Sequence, residues 1–200
     1  MLRSYTPADG ITLANASCGT ISIFLCLAYI DDQRSAQFLW AAFVLPWAAL
    51  VFDVMDGYVA RLYPQRQSVI GGDLDSLADI VSFGVAPAVL GYTLGLRGLW
   101  DVVCLTWFVC CGISRLARFN ATAAALTNAE TGKVRYFEGT PIPTSVVIVL
   151  GLAVLYRLSL TGPHVWLGAW EIADKVFHPL SIVYVVSGSL MISTIRIPKP

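Results

Sequence analysis

Five aspartates fall into two short runs of a largely apolar chain, and four of them are spaced to share helix faces. The first run is Asp53-Val-Met-Asp56-Gly57-Tyr-Val-Ala60-Arg61 and the second is Gly71-Gly-Asp-Leu-Asp75-Ser-Leu-Ala-Asp79. On a helix, Asp53, Asp56, Gly57 and Ala60 fall within an arc of about 100°, and Gly71, Asp75 and Asp79 share a face. Two consecutive helices thus each present two carboxylates at similar depth. An isolated carboxylate within a membrane costs roughly 2.5–3.5 kcal/mol, and four together repel one another or retain protons. Basic residues are too few here to neutralise them, Arg61 being the clearest. Divalent cations relieve both problems, and an all-oxygen donor set favours Mg2+ or Mn2+ over zinc. Such a site can hold two ions about 3.5–4 Å apart and clamp phosphate oxygens. Asp73 reads instead as a solvated acid at a helix N-terminus. Gly57, Ala60 and Gly71 leave room for a bulky ligand beside the metals.

The elements that must carry these residues are transmembrane helices. The chain has 200 residues, 56% hydrophobic and 13% charged, with mean hydropathy +0.69. A soluble domain of this length cannot bury so much apolar surface. Six stretches are long and apolar enough to be read as spans: Ile11–Ile30, Ala36–Arg61, Gly71–Leu96, Leu99–Phe119, Pro143–Leu160 and Ile172–Ile195. The expected fold is an all-α integral membrane bundle of about six transmembrane helices, forming one domain over residues 1–200. The first stretch lacks a basic leader and a cleavage site, and is read as a retained span. Six crossings put both ends on one side. With that side cytoplasmic, nine basic residues (Arg3, Arg61, Arg66, Arg115, Arg118, Lys133, Arg135, Arg196, Lys199) lie there, against Arg34, Arg97, Arg157 and Lys175 opposite. This bias orients the aspartates toward the cytoplasm. A formal net charge of zero gives no footprint for nucleic acid. The five cysteines lack metal spacing and read as buried thiols.

The aspartate runs match the signature of the CDP-alcohol phosphotransferases, D-x2-D-G-x2-A-R-x8-G-x3-D-x3-D. Asp53, Asp56, Gly57, Ala60, Arg61, Gly71, Asp75 and Asp79 take every fixed position. One departure is visible: nine residues, not eight, separate Arg61 from Gly71. The run from Asp75 to Ala88, Ser114-Arg-Leu-Ala-Arg-Phe-Asn120 and Tyr136-Phe-Glu-Gly-Thr-Pro-Ile-Pro-Thr144 resemble the phosphatidylserine synthase branch. Ile11-Thr-Leu-Ala-Asn15 and Cys18-Gly19 fit it too, and the whole is most similar to the fungal synthases. The resemblance implies a six-helix membrane bundle, often a homodimer, acting on CDP-diacylglycerol and L-serine among membrane lipids. It implies that Asp53, Asp56 and Asp75 ligate Mg2+ or Mn2+, two ions in all. Asp79 would complete that site and act as general base. The CDP head would lie against Asp53, Gly57, Ala60, Arg61, Gly71 and Asp75. Serine would attack the phosphorus that bears diacylglycerol and release CMP. The likeness to fungal synthases implies the endoplasmic reticulum; a prokaryotic source would place the protein in the plasma membrane.

Free serine brings a carboxylate, which guanidinium holds by paired hydrogen bonds. Arg115 is the expected carboxylate ligand and Arg118 the phosphate ligand, with Phe119, four residues beyond Arg115, as a wall; Asn120 is a lesser candidate. A related enzyme with another acceptor (inositol, inositol phosphate or glycerol phosphate) remains the nearest alternative. A transporter or scaffold is the alternative from a different class, but broken helices or repeats of the kind transporters show are not evident. His164 and His178 read as structural, placed opposite the aspartates or inside the sixth helix. Gly91-x3-Gly95 suits close helix packing or a dimer seam.

Overall fold

The computed structural model describes residues 6–31, 36–62, 70–127, 136–194 and 196–198. Of the basic residues in the topology argument, Arg3, Arg34, Arg66, Lys133, Arg135 and Lys199 lie outside these. The chain folds as an all-α membrane bundle. Its helices are α1 (Pro7–Asp31), α2 (Ala36–Leu62), α3 (Gly71–Asp79), α4 (Ala86–Thr93), α5 (Leu99–Thr127), α6 (Val146–Arg157) and α7 (Ile182–Ile192). A π-helical segment, Ile80–Val85, joins α3 to α4, so that Gly71–Thr93 forms one continuous span. This span, α1, α2 and most of α5 are long and apolar enough to cross a membrane. The remaining two apolar helical segments, Ile142–Arg157 and Pro179–Ile192, are shorter. Phe24, Val44 and Val147 are 62%, 62% and 69% exposed, whereas Tyr184, Phe83, Phe108 and Leu39 are buried. Large apolar side chains outside as well as inside suit lipid as the surrounding medium.

Local chemistry accounts for how these helices begin and bend. Thr6 and Asp9 form a capping box: Asp9 Oδ2 accepts from Thr6 N–H at 2.7 Å, and Thr6 Oγ1 accepts from Asp9 N–H at 3.4 Å. Pro7 then takes the first helical position, where its missing N–H costs nothing. α1 and α2 form the most extensive helix pair. Pro46, inside α2, cannot donate to Ala42, four residues earlier. Ser22 of α1 supplies that donor, its hydroxyl reaching the Ala42 carbonyl at 2.8 Å. In lipid such substitution matters, because no water can satisfy the carbonyl.

The π segment has a similar origin. Pro87 cannot donate to Phe83, and its ring crowds that carbonyl. The helix widens just upstream, and Ala86 N–H bonds the Val81 carbonyl five residues back. The Pro87 carbonyl in turn accepts from the hydroxyl of fully buried Tyr184 on α7, at 2.7 Å.

Two expected boundaries move. α5 runs past Phe119 to Thr127, because Ala121-Thr-Ala-Ala-Ala-Leu-Thr127 is rich in a strong helix former. The sixth stretch does not start at Ile172. Instead β2 (Trp170–Ile172) and β3 (Lys175–Phe177) form an antiparallel hairpin with Ile172 opposite Lys175. Its turn residues Ala173 and Asp174 have φ of 52° and 58°, the left-handed pair that a two-residue hairpin needs. His178 therefore precedes α7 rather than lying within a helix. Its Nδ1 lies 2.6 Å from buried Asp101 Oδ2 and its N–H donates to Asp101 Oδ1 at 2.8 Å, fixing the hairpin to the start of α5. Residues Tyr136–Glu138 (β1) and Arg196–Pro198 (β4) pair antiparallel.

Candidate active site

α2 ends in the first aspartate run, and α3 carries the second. Carboxylate oxygens of Asp53, Asp75 and Asp79 all lie within 4.8 Å of one another. Asp79 is buried, and Asp53 and Asp75 are half-buried. Asp56 stands outside this group of three. It is buried, and its Oδ2 accepts a 2.6 Å hydrogen bond from Thr12 Oγ1 on α1. Among the described residues, no Lys or Arg forms an ion pair with any of the four. Among the described residues, the clustered carboxylates are therefore left without an ion-pair partner.

Asp75 and Asp79 also line a cleft of about 400 Å3. Gly72, Asp73 and Ser76 complete its α3 side; Arg115, Leu116, Phe119 and Asn120 of α5 face them, with Pro141 and Pro143 beside α6. The spacing 115, 116, 119, 120 is one helical face, which is why α5 delivers these four together. Arg115 is half-buried and its Nε is buried with no partner. Arg118 is exposed and is not among the lining residues. Asn120 links the walls: its Nδ2 donates to Ser76 Oγ at 3.0 Å and to Asp73 Oδ1 at 3.4 Å.

The residues expected to hold a CDP head lie on either side of the cluster. Gly57 is half-buried and Ala60 exposed, on the face of α2 that carries Asp53. A side-chain carbon added at Gly57 would meet only the tip of Arg61, at 3.9 Å, so space is open there. Arg61 is exposed and donates through Nε to the Gly57 carbonyl at 2.8 Å, closing its own helix end. Gly71 begins α3.

Thr12 and Asn15 of α1 are site neighbours that their residue types did not reveal. Asn15 is fully buried, and its Nδ2 donates to Asp79 Oδ1 at 3.2 Å. A polar pair three residues apart in an apolar helix was the available signal, but in such helices Thr and Asn often bond their own backbone instead.

The donor set fits divalent metal on an observation independent of the motif. Asp75 Oδ1 is buried and has no hydrogen-bond partner. A buried carboxylate oxygen left unpaired is costly; here it lies in a group with two further carboxylates and no nitrogen or sulfur ligand, which suits a hard cation.

The CDP-alcohol phosphatidyltransferase family matches residues 5–190. The chain belongs to that family. The CDP-diacylglycerol–serine O-phosphatidyltransferase of Saccharomyces cerevisiae is 42% identical over all of this chain and 73% of its own length. The archaetidylserine synthase of Methanothermobacter thermautotrophicus is 33% identical over 96% of this chain and 69% of its own. A CDP-diacylglycerol–serine O-phosphatidyltransferase of Helicobacter pylori is 39% identical over 89% of this chain and 68% of its own. No solved structure matches. In this CDP-alcohol phosphatidyltransferase, Asp75 and Asp79 of the aspartate cluster share one cleft with the α5 wall.

Proposed function

We propose that the chain is a CDP-diacylglycerol–serine O-phosphatidyltransferase. The observation that carries this reading is the cleft itself, where carboxylates on α3 face the buried, unpartnered guanidinium nitrogen of Arg115. One wall suits a metal-bound pyrophosphate and the other an acceptor that brings its own carboxylate. The names borne by the relatives from yeast and Helicobacter pylori agree with that pairing.

Asp53, Asp75 and Asp79 would hold Mg2+ or Mn2+, with Asp56 beside them as the fourth ligand proposed for a pair of ions. Bound metal supplies charge neutralisation on the phosphate oxygens and a fixed orientation for in-line displacement. The chain's own residues do the rest. Gly57, Ala60 and Gly71 leave room for the CDP head, with Arg61 at its edge. Arg115 orients serine through the carboxylate, and Phe119 walls the pocket; Arg118, outside the lining residues, serves phosphate at the rim. Asp79 accepts the serine hydroxyl proton as the new oxygen–phosphorus bond forms. The bond from that phosphorus to the bridging pyrophosphate oxygen breaks, and CMP leaves. Positioning and electrostatics carry most of such a transfer.

The whole chain acts as one membrane domain, as a homodimer in the endoplasmic reticulum, with the cleft facing the cytoplasm. The test is CMP release by purified protein given CDP-diacylglycerol, Mg2+ or Mn2+, and one alcohol at a time. Release that requires serine is expected. Release with inositol or glycerol phosphate instead would keep the family chemistry and overturn the acceptor.

A further inference from the structure

The reaction needs one oxygen of Asp79 aimed at the acceptor hydroxyl, yet Asp79 is the last residue before the helix widens. Its backbone stays helical (φ −60°, ψ −41°), and among the described residues no side chain of its own helix hydrogen-bonds the carboxylate. α1 provides the missing constraint at a single residue. Asn15 Nδ2 donates to Asp79 Oδ1 at 3.2 Å, and the Asn15 carbonyl accepts from Ser82 Oγ, inside the π segment, at 2.9 Å. Asn15 and Ser82 are both fully buried. Four residues along α1, Gly19 lets the two backbones close: an added side-chain carbon there would sit 2.6 Å from Ser82 Cα. Side chain and backbone of Asn15 thus grip both the acid at the end of α3 and the π segment that follows it.

We propose that Asn15 is a positioning residue for the transfer: its amide engages Asp79 Oδ1, fixes the carboxylate's rotation, and leaves Oδ2 to take the acceptor's proton. This rests on the reading of Asp79 as proton acceptor, but not on which alcohol is used. The serine hydroxyl loses its proton to Oδ2 as its oxygen bonds phosphorus, and CMP departs with the bridging oxygen. Asn15 gains and loses nothing; it acts through Asp79. Its side chain is not among those lining the cleft, so its loss leaves the walls that bind both substrates in place.

Asn15→Leu, close in shape and without a donor, separates positioning from packing. Initial rates of CMP release are measured over both substrate concentrations, using whichever alcohol supports release in the unaltered protein. The expected result is a kcat lower by about tenfold to a hundredfold, the scale of a misplaced catalytic group, with both KM values unchanged. An unchanged kcat, or a loss carried by KM for CDP-diacylglycerol or the alcohol, overturns the proposal. If Asn15→Leu does not yield monodisperse protein, Asn15→Ser is read by the same criteria, since its shorter side chain leaves the fold but not the reach to Asp79. Unaltered protein inactive with every alcohol would overturn the functional reading and this inference together. Active unaltered protein beside an equally active variant overturns this inference alone.

Discussion

Arg115 enters the cleft with a buried, unpartnered Nε, while Asp79 faces it from α3. A guanidinium can meet a carboxylate with two parallel hydrogen bonds; a lysine ammonium presents only a point charge. Arg115→Lys is therefore expected to raise the serine KM about tenfold or more, the scale of one lost charge-assisted bond, with the KM for CDP-diacylglycerol unchanged. Steady-state kinetics in each substrate decide it, and an unchanged serine KM removes Arg115 from the serine pocket. The aspartate spacing in sequence was enough to expect that α2 and α3 bring carboxylates together, and three of the four do lie within 4.8 Å of one another. The sequence assigns Arg115 to the serine carboxylate and Arg118 to phosphate; packing adds that Arg115 lines the cleft and Arg118 does not. Spacing could not detect Thr12 and Asn15, whose partners lie 44 and 64 residues away.

Helix α1 packs closely on the π segment between α3 and α4 at Gly19. Any side chain there would press on Ser82, with an added carbon 2.5 Å from its Oγ and 2.6 Å from its Cα. The backbone cannot yield as a flexible side chain would, so Gly19→Ala is expected to push α1 off the π segment. Overpacking of this kind costs about 1–3 kcal/mol and would carry Asn15 away from Asp79. A lowered melting temperature together with reduced kcat is the expected signature; an unchanged melting temperature would refute the close contact. At Pro46 the prediction is for stability alone. Ser22→Ala leaves the Ala42 carbonyl without the donor that replaces the missing proline N–H, and should cost about 1–3 kcal/mol without altering either KM. Hydropathy made the four long helices legible. It did not show the π segment, which arises from Pro87 and its packing, or the 170–177 hairpin, whose Trp, Ile, Val and Phe resemble the start of another span.

At the scale of the molecule, the aspartates and the start of α6 lie at one end. Pro141 and Pro143 share the cleft with Asp79, whereas Arg157 closes α6 about 18 Å further on, by the helical rise. In the orientation proposed above, the first end faces the cytoplasm. In sealed, oriented vesicles of a cysteine-free variant, Leu62→Cys is expected to react with an impermeant maleimide only from the cytoplasmic side, and His164→Cys only from the other. The reverse pattern would turn the bundle over. Both positions are exposed, so labelling reports on sidedness rather than burial. The membrane class was legible from composition alone, because 200 residues at this hydropathy cannot hide their apolar surface in water.

The most direct measurement follows labelled L-serine into lipid. Purified protein is supplied with CDP-diacylglycerol and Mn2+ or Mg2+, beside samples treated with chelator, chelated samples given metal again, and an Asp79→Asn variant. Phosphatidyl transfer through the aspartate cluster predicts labelled phosphatidylserine in the untreated and metal-restored samples, none in the chelated one, and a loss of at least about a hundredfold in the variant, the scale of general-base catalysis. Labelled lipid formed equally well by folded Asp79→Asn, or formed in full without divalent metal, would contradict it.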